Sequence, residues 1–132
     1  MPEKIKVALV GLGNCFSGLI QGIEYYSKNP SQKVTGIIHE NLRDYTIHDI
    51  EFVAGFDVGA NKVGKPINDA IYESPNMVNW IDKNDMPKAN GNVYESPALD
   101  GVGIWVENKV KPIESGKSES ELREEIIKVL KE

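Results

Sequence analysis

The chain has 132 residues, enough for one domain with a single core and too few for two ordinary ones. Its 40% hydrophobic and 27% charged residues fit a soluble globular protein, and a net charge of −5 argues against a general nucleic-acid binder. No apolar run approaches a membrane span, and the N-terminus lacks the basic, apolar and small-residue order of a signal peptide, so a cytoplasmic location is expected.

In chain order, the first element is a strand over Ile5–Val10, six mostly apolar residues that stop at Gly11-Leu12-Gly13. Helical spacing follows at once, with Phe16, Leu19, Ile20, Ile23 and Tyr26 at three- and four-residue steps. Strand, glycine turn and helix is the arrangement that binds the pyrophosphate of a dinucleotide. Gly11 allows the tight turn, and Gly13 lets the backbone approach a phosphate with no Cβ in the way. The helix then presents unpaired N–H groups and the positive end of its dipole to the anion. The usual third glycine is replaced by Phe16, so close contact between helix and strand is expected one or two residues later, at Ser17-Gly18.

Lys28-Asn29-Pro30-Ser31 reads as a stop. In a plain dinucleotide fold an acid follows the glycines by about 20 residues. Here the next strand is Glu51–Phe56, and the acid at its end, Asp57, lies 44 residues beyond Gly13. An insertion over about 29–49 fills the difference and holds both histidines, with a short strand or turn of its own expected at the domain's edge. Asp57 stands where a carboxylate can bond the adenosine ribose hydroxyls and repel the extra phosphate of NADP. Lys62, in the turn-rich FDVGANKVG, and Lys65 just after it are placed to help a 2′-phosphate, but in an exposed turn they read as solvated lysines. Pro66–Tyr72 reads as a short helix with Asn68 as N-cap, and Ser74–Gly91 as loop with one helical turn. A third strand is expected at Gly91–Tyr94, and Ile104–Val110 reads as a segment anchored by Trp105 and Val106. Trp80 also reads as a packing residue. Glu114–Ser118 is a break before a last amphipathic helix over about 118–132. Its start is a capping box, Ser118-x-x-Glu121, and its apolar stripe is Leu122, Ile126, Val129 and Leu130. The fold class is thus α/β, a single Rossmann-like NAD-binding domain with a parallel sheet that looks cut short after the third β/α unit.

The stretches GLGNCFSGLIQGIEYY and DIEFVAGFDVGANKVGKPINDAI closely resemble the start of the inositol-phosphate synthase (myo-inositol-1-phosphate synthase) family, of the archaeal and bacterial type. The shared pattern includes Asn14-Cys15, Gln21-Gly22, Tyr25-Tyr26, the phrase Glu51–Asp57 and Val63-Gly64-Lys65. The resemblance implies the opening, nucleotide-binding part of an enzyme that turns glucose 6-phosphate into inositol phosphate, using NAD and regenerating it. It implies cofactor contacts from Gly11, Gly13, Asn14, Cys15 and Asp57, with a further one from Asn76. Two departures fall near the cofactor in the implied fold: Ala98 replaces a threonine, and Glu95 stands where many members are neutral or basic. The family's proton-transferring lysines and tetramer-forming sheet have no counterpart in these residues.

Cys15, the single cysteine, excludes an internal disulfide and reads as a small residue packed beside the cofactor rather than a nucleophile, since no histidine is near it in sequence. His39 and His48 read as structural or exposed rather than as metal ligands, and no metal is expected. The sequence therefore points to an NAD-binding portion that is not catalytic alone. Its expected partners are NAD, the catalytic part of a synthase supplied in trans, and further copies of itself, with neither nucleic acid nor membrane among them. The alternative is a stand-alone NAD-binding or regulatory module that has lost the catalytic domain.

Overall fold

A computed structural model describes residues 3–29 and 35–132 of the chain. Strand β1 (Ile5–Val10) leads through the glycine turn into helix α1 (Asn14–Lys28). Strand β2 (Ile50–Asp57), a short helix α2 (Ile67–Ala70), strand β3 (Asn92–Glu95) and helix α3 (Glu119–Lys131) follow. Among the described residues the strands form one sheet in the order β1-β2-β3, every pair parallel. Parallel neighbours need a crossover between them, and α1 and α2 supply it. The first strand, the first helix, the second strand and the third strand stand where the sequence puts them.

The register slips between Val7 and Ala8, which face Phe52 and Ala54, so Val53 is the extra residue of a bulge. At that point Gly91 comes so close to β2 that a Cβ on it would collide with the Val53 carbonyl. The core lies on the helix-covered face and is built from Leu9, Leu12, Ile20, Ile67, Ala70, Ile71 and Val93. Leu12 belongs to the glycine turn yet is fully buried. It can fold back over the sheet because Gly55 lacks a side chain, and a Cβ there would lie 2.9 Å from a Leu12 methyl.

The buried face of α1 differs from the apolar stripe. Ser17 and Gln21 join Ile20 in the interior, while Leu19 is 45% exposed. The reason is hydrogen bonding. Ser17 donates its hydroxyl to the Ile71 carbonyl at 3.1 Å. The Gln21 amide donates to the Val78 carbonyl and accepts from the backbone N–H groups of Trp80 and Ile81. Two polar side chains thus tie α1 to the 71–81 segment with their polar atoms satisfied. Ser17 is also the close-packed position that replaces the missing third glycine; a Cβ on Gly18 would meet nothing within 4 Å.

Other expectations need correction. Asn68 is not a cap: α2 begins from Pro66 with no side-chain cap, and the Asn68 amide donates to the Pro87 carbonyl. Neither tryptophan packs, Trp80 being 76% and Trp105 87% exposed. Residues 104–109 form a run of turns in which Trp105 anchors nothing. The stop at Pro30-Ser31 lies outside the described residues; α1 itself ends at Lys28, with Asn29 bonding back to Tyr25 and Tyr26. The described part of the insertion, 35–49, holds a Leu42–Tyr45 bridge and a 3-10 turn at Ile47–Asp49. At the far end the capping box forms as the sequence spells it, with Ser118 and Glu121 bonded reciprocally. Leu122 alone of the α3 stripe is buried, and Leu130 is 58% exposed.

Candidate functional site

The carboxyl ends of β1 and β2 open into a cleft of about 510 Å³, lined by Gly11, Gly13, Asn14, Asp57, Lys62 and Asn76 among others. This size lies within the roughly 300–1,000 Å³ of small-molecule sites, and its place is where open parallel sheets bind ligands. A second wall comes from the 101–110 loop, through Val102, Val106 and Val110. That loop is held down by backbone bonds from Ala60 to Lys111 and from Ile113 to Val58. Smaller hollows elsewhere, such as one of about 180 Å³ between α1 and residues 86–90, hold none of the glycine-turn residues.

The turn is built for close backbone approach. Gly11 has φ +80°, a conformation that favours glycine, and its N–H is fixed on the Phe56 carbonyl at 2.7 Å. Gly13 caps α1 without a side chain, and a Cβ on it would meet no protein atom within 4 Å. The protein's own packing therefore leaves the space over Gly13 open. The first intrahelical bond is from Ser17 N–H to the Gly13 carbonyl, so the N–H groups ahead of it have no partner within the helix. No acidic side chain stands in this first turn. This arrangement fits a pyrophosphate.

Three polar side chains lock the turn from beneath by gripping both sides of Leu12. Its N–H donates to Asp57 Oδ2 at 2.8 Å. Its carbonyl accepts from Lys62 Nζ at 2.7 Å and from Asn76 Nδ2 at 2.9 Å. Asp57 Oδ1 takes the Gly59 N–H at 2.8 Å, so the same carboxylate also shapes the turn leaving β2. Asn76 additionally bonds the Ile71 carbonyl, and Asn14 accepts from the Met77 N–H. Each carboxylate oxygen keeps a further lone pair for a ligand.

Five of the six sequence-predicted positions, Gly11, Gly13, Asn14, Asp57 and Asn76, thus meet in one cleft. Cys15 is exposed and is not among the lining residues. The two departures from the family pattern do not reach the cleft. Glu95 accepts the Ser115 hydroxyl, and Ala98 lines a separate hollow with Leu99 and Leu122. Among the described residues no group of three or more His, Cys, Asp or Glu side chains is placed to hold a metal ion. No described helix is long and apolar enough to cross a membrane.

No protein-family model matches the chain. Individual relatives do. An inositol-3-phosphate synthase from Corynebacterium glutamicum is 48% identical over 100 residues, covering 75% of this chain and 27% of that protein. Another from Mycolicibacterium smegmatis is 38% identical over 130 residues, covering 98% and 34%. The chain is a relative of the inositol-3-phosphate synthases. It spans about a third or less of their length. A solved structure of a myo-inositol-1-phosphate synthase-related protein from Thermotoga maritima superposes with a TM-score of 0.69 over 96% of this chain and 31% of that one. At 20% identity that match speaks for the α/β fold.

What reading the sequence missed in this synthase relative is Lys62. It is 5% exposed, not solvated, and its ammonium rests on the Leu12 carbonyl and on Asn76 Oδ1 at 3.1 Å. Burial lowers its pKa, and the nearby charges of Asp57 and Glu73 pull it back up. Lys65 lies at the rim and pairs with Glu73 at 2.7 Å. A signal was available: Lys62 stands in the turn-rich stretch just after Asp57, close enough in sequence to return to the same cleft.

Proposed function

We propose that this chain is the NAD-binding portion of an inositol-phosphate synthase-type enzyme, and that it is not catalytic by itself. One observation carries the reading. An unobstructed glycine turn at the start of α1 shares a cleft with an aspartate at the end of β2, in a chain similar to the synthases over most of its length. NAD supplies reversible hydride transfer when bound. The chain's own residues bind and orient it: the turn and the N-terminal N–H groups of α1 take the pyrophosphate, and Asp57 takes the adenosine ribose. Asn14 and Asn76 stand beside and beneath the turn, and Cys15 flanks it.

The lack of catalysis is supported by the content of the cleft. Asp57, Lys62 and Asn76 each brace Leu12 and, in this reading, face the cofactor with what remains, so none is assigned to enolising a sugar. The partners we propose are further copies of the chain, or the catalytic part of a synthase in trans. The exposed Ile127 and Leu130 of α3 and the open edge of β1 support this reading. Calorimetric titration with NAD and NADP tests the cofactor, with NAD expected to bind more tightly. Absence of binding by either would overturn it.

A further inference from the structure

Lys62 is the most deeply buried charge at the site, and its direct partners are neutral. Its ammonium has three N–H donors. One goes to the Leu12 carbonyl and one to Asn76 Oδ1. Among the described residues no carboxylate lies within salt-bridge distance of it. Asp57 and Glu73 act on it from beyond that distance and offset its burial only in part, and a buried cation is costly until an anion completes its surroundings. Lys62 also lines the cleft, on the side where the turn opens. The space over Gly13, which lines the same cleft, is free of protein atoms, so a phosphate can approach the turn on the side that Lys62 lines.

We infer that Lys62 is a phosphate-binding residue, whose remaining N–H donates to an anionic oxygen of a nucleotide phosphate lodged against the glycine turn. The inference rests on the cofactor reading above and adds a ligand-contacting residue to it. It also explains why a lysine, and not a neutral donor, occupies a position that already satisfies the Leu12 carbonyl. The ligand class is a nucleoside carrying one or more phosphates. An unphosphorylated nucleoside would gain nothing from Lys62.

The test compares NAD, ADP and adenosine on the full chain by calorimetry, with Lys62→Met and Lys62→Arg beside the parent. Lys62→Met should weaken NAD and ADP by about ten- to a hundredfold, the loss expected for one charge-assisted bond. Adenosine should bind Lys62→Met and parent alike, and Lys62→Arg should keep part of the phosphate-dependent affinity. Unchanged NAD and ADP affinity in a folded Lys62→Met would overturn the inference while leaving the cofactor reading intact. Failure of the parent to bind NAD at all would instead overturn the cofactor reading. Should Lys62→Met not fold, the parent still decides, through the ¹⁵Nζ resonance of Lys62. That resonance should move with ADP and stay in place with adenosine, and an equal response to both would contradict phosphate contact.

Discussion

Asp57→Ala should damage the protein twice, once in stability and once in affinity. In the unliganded chain the Asp57 carboxylate accepts two backbone N–H groups, from Leu12 and Gly59, both at 2.8 Å. Hydrogen bonds to a charged group contribute about 1.5–3 kcal/mol each. Asp57 is half-buried, so the lower end applies, and the pair contributes about 3 kcal/mol. The Leu12 N–H, on a fully buried residue, would be left without its acceptor. For a chain of this size each kcal/mol moves the melting temperature by about 3–5 °C, so Tm should fall by about 10 °C. NAD affinity should fall by about ten- to a hundredfold when measured well below that Tm. Differential scanning calorimetry gives the first number and isothermal titration the second. Asp57→Asn, which keeps one acceptor oxygen, should fall between the parent and Asp57→Ala in Tm. A parent-like Tm for Asp57→Ala would refute the claim that this carboxylate braces the glycine turn.

Gly13→Val should leave the far-UV circular dichroism near the parent's, since no protein atom meets the new side chain, and abolish NAD binding, since that side chain stands where the pyrophosphate is proposed to lie; undiminished affinity would show that the turn is not the phosphate site. Gly91→Ala should destabilise strongly, since its Cβ collides with the Val53 carbonyl, a backbone atom that cannot rotate away; a Tm within a degree or so of the parent's would contradict the close approach of 91 to β2. Ser118→Ala should cost about 1 kcal/mol of local helix stability, read as faster amide hydrogen exchange in α3. The Glu121 carboxyl is held below its ordinary value, first by the Ser118 backbone N–H. A depressed carboxylate stabilises above its unfolded pKa and is lost as pH falls through the folded one, so protection of α3 should drop below the ordinary glutamate range; protection unchanged by acid would count against the capping box. The chain alone should give no conversion of glucose 6-phosphate to inositol phosphate with NAD present, and turnover by a clean monomer would contradict the proposed division of labour.

Much of the fold could be read from local pattern. The apolar run before Gly11, the glycines themselves, and Asp57 at the end of β2 are signals carried by neighbouring residues. The Ser118–Glu121 box is equally local, and it formed as written. What the sequence hid depends on tertiary partners. The inward face of α1 is set by Ser17 and Gln21 because their acceptors and donors lie far along the chain, at Ile71, Val78, Trp80 and Ile81. Hydropathy assigned Leu19 inward for lack of that information. Trp80 is fixed through its backbone N–H on Gln21 and Trp105 lies in a run of local turns, so their size did not secure burial. Lys62 looked like a solvated turn residue, yet Leu12 and Asn76 offer it two oxygens inside the cleft. The site was visible as a list of residues. That Asp57, Lys62 and Asn76 converge on the two sides of one peptide residue, Leu12, was not.

The most direct test of the central claim is titration of the unmutated chain with NAD and with NADP under identical conditions. Saturable binding of NAD at one site per chain is expected, with NADP weaker because its extra phosphate meets the Asp57 carboxylate. Equal or tighter binding of NADP would contradict the role given to Asp57, and no binding of either would contradict the cofactor site itself.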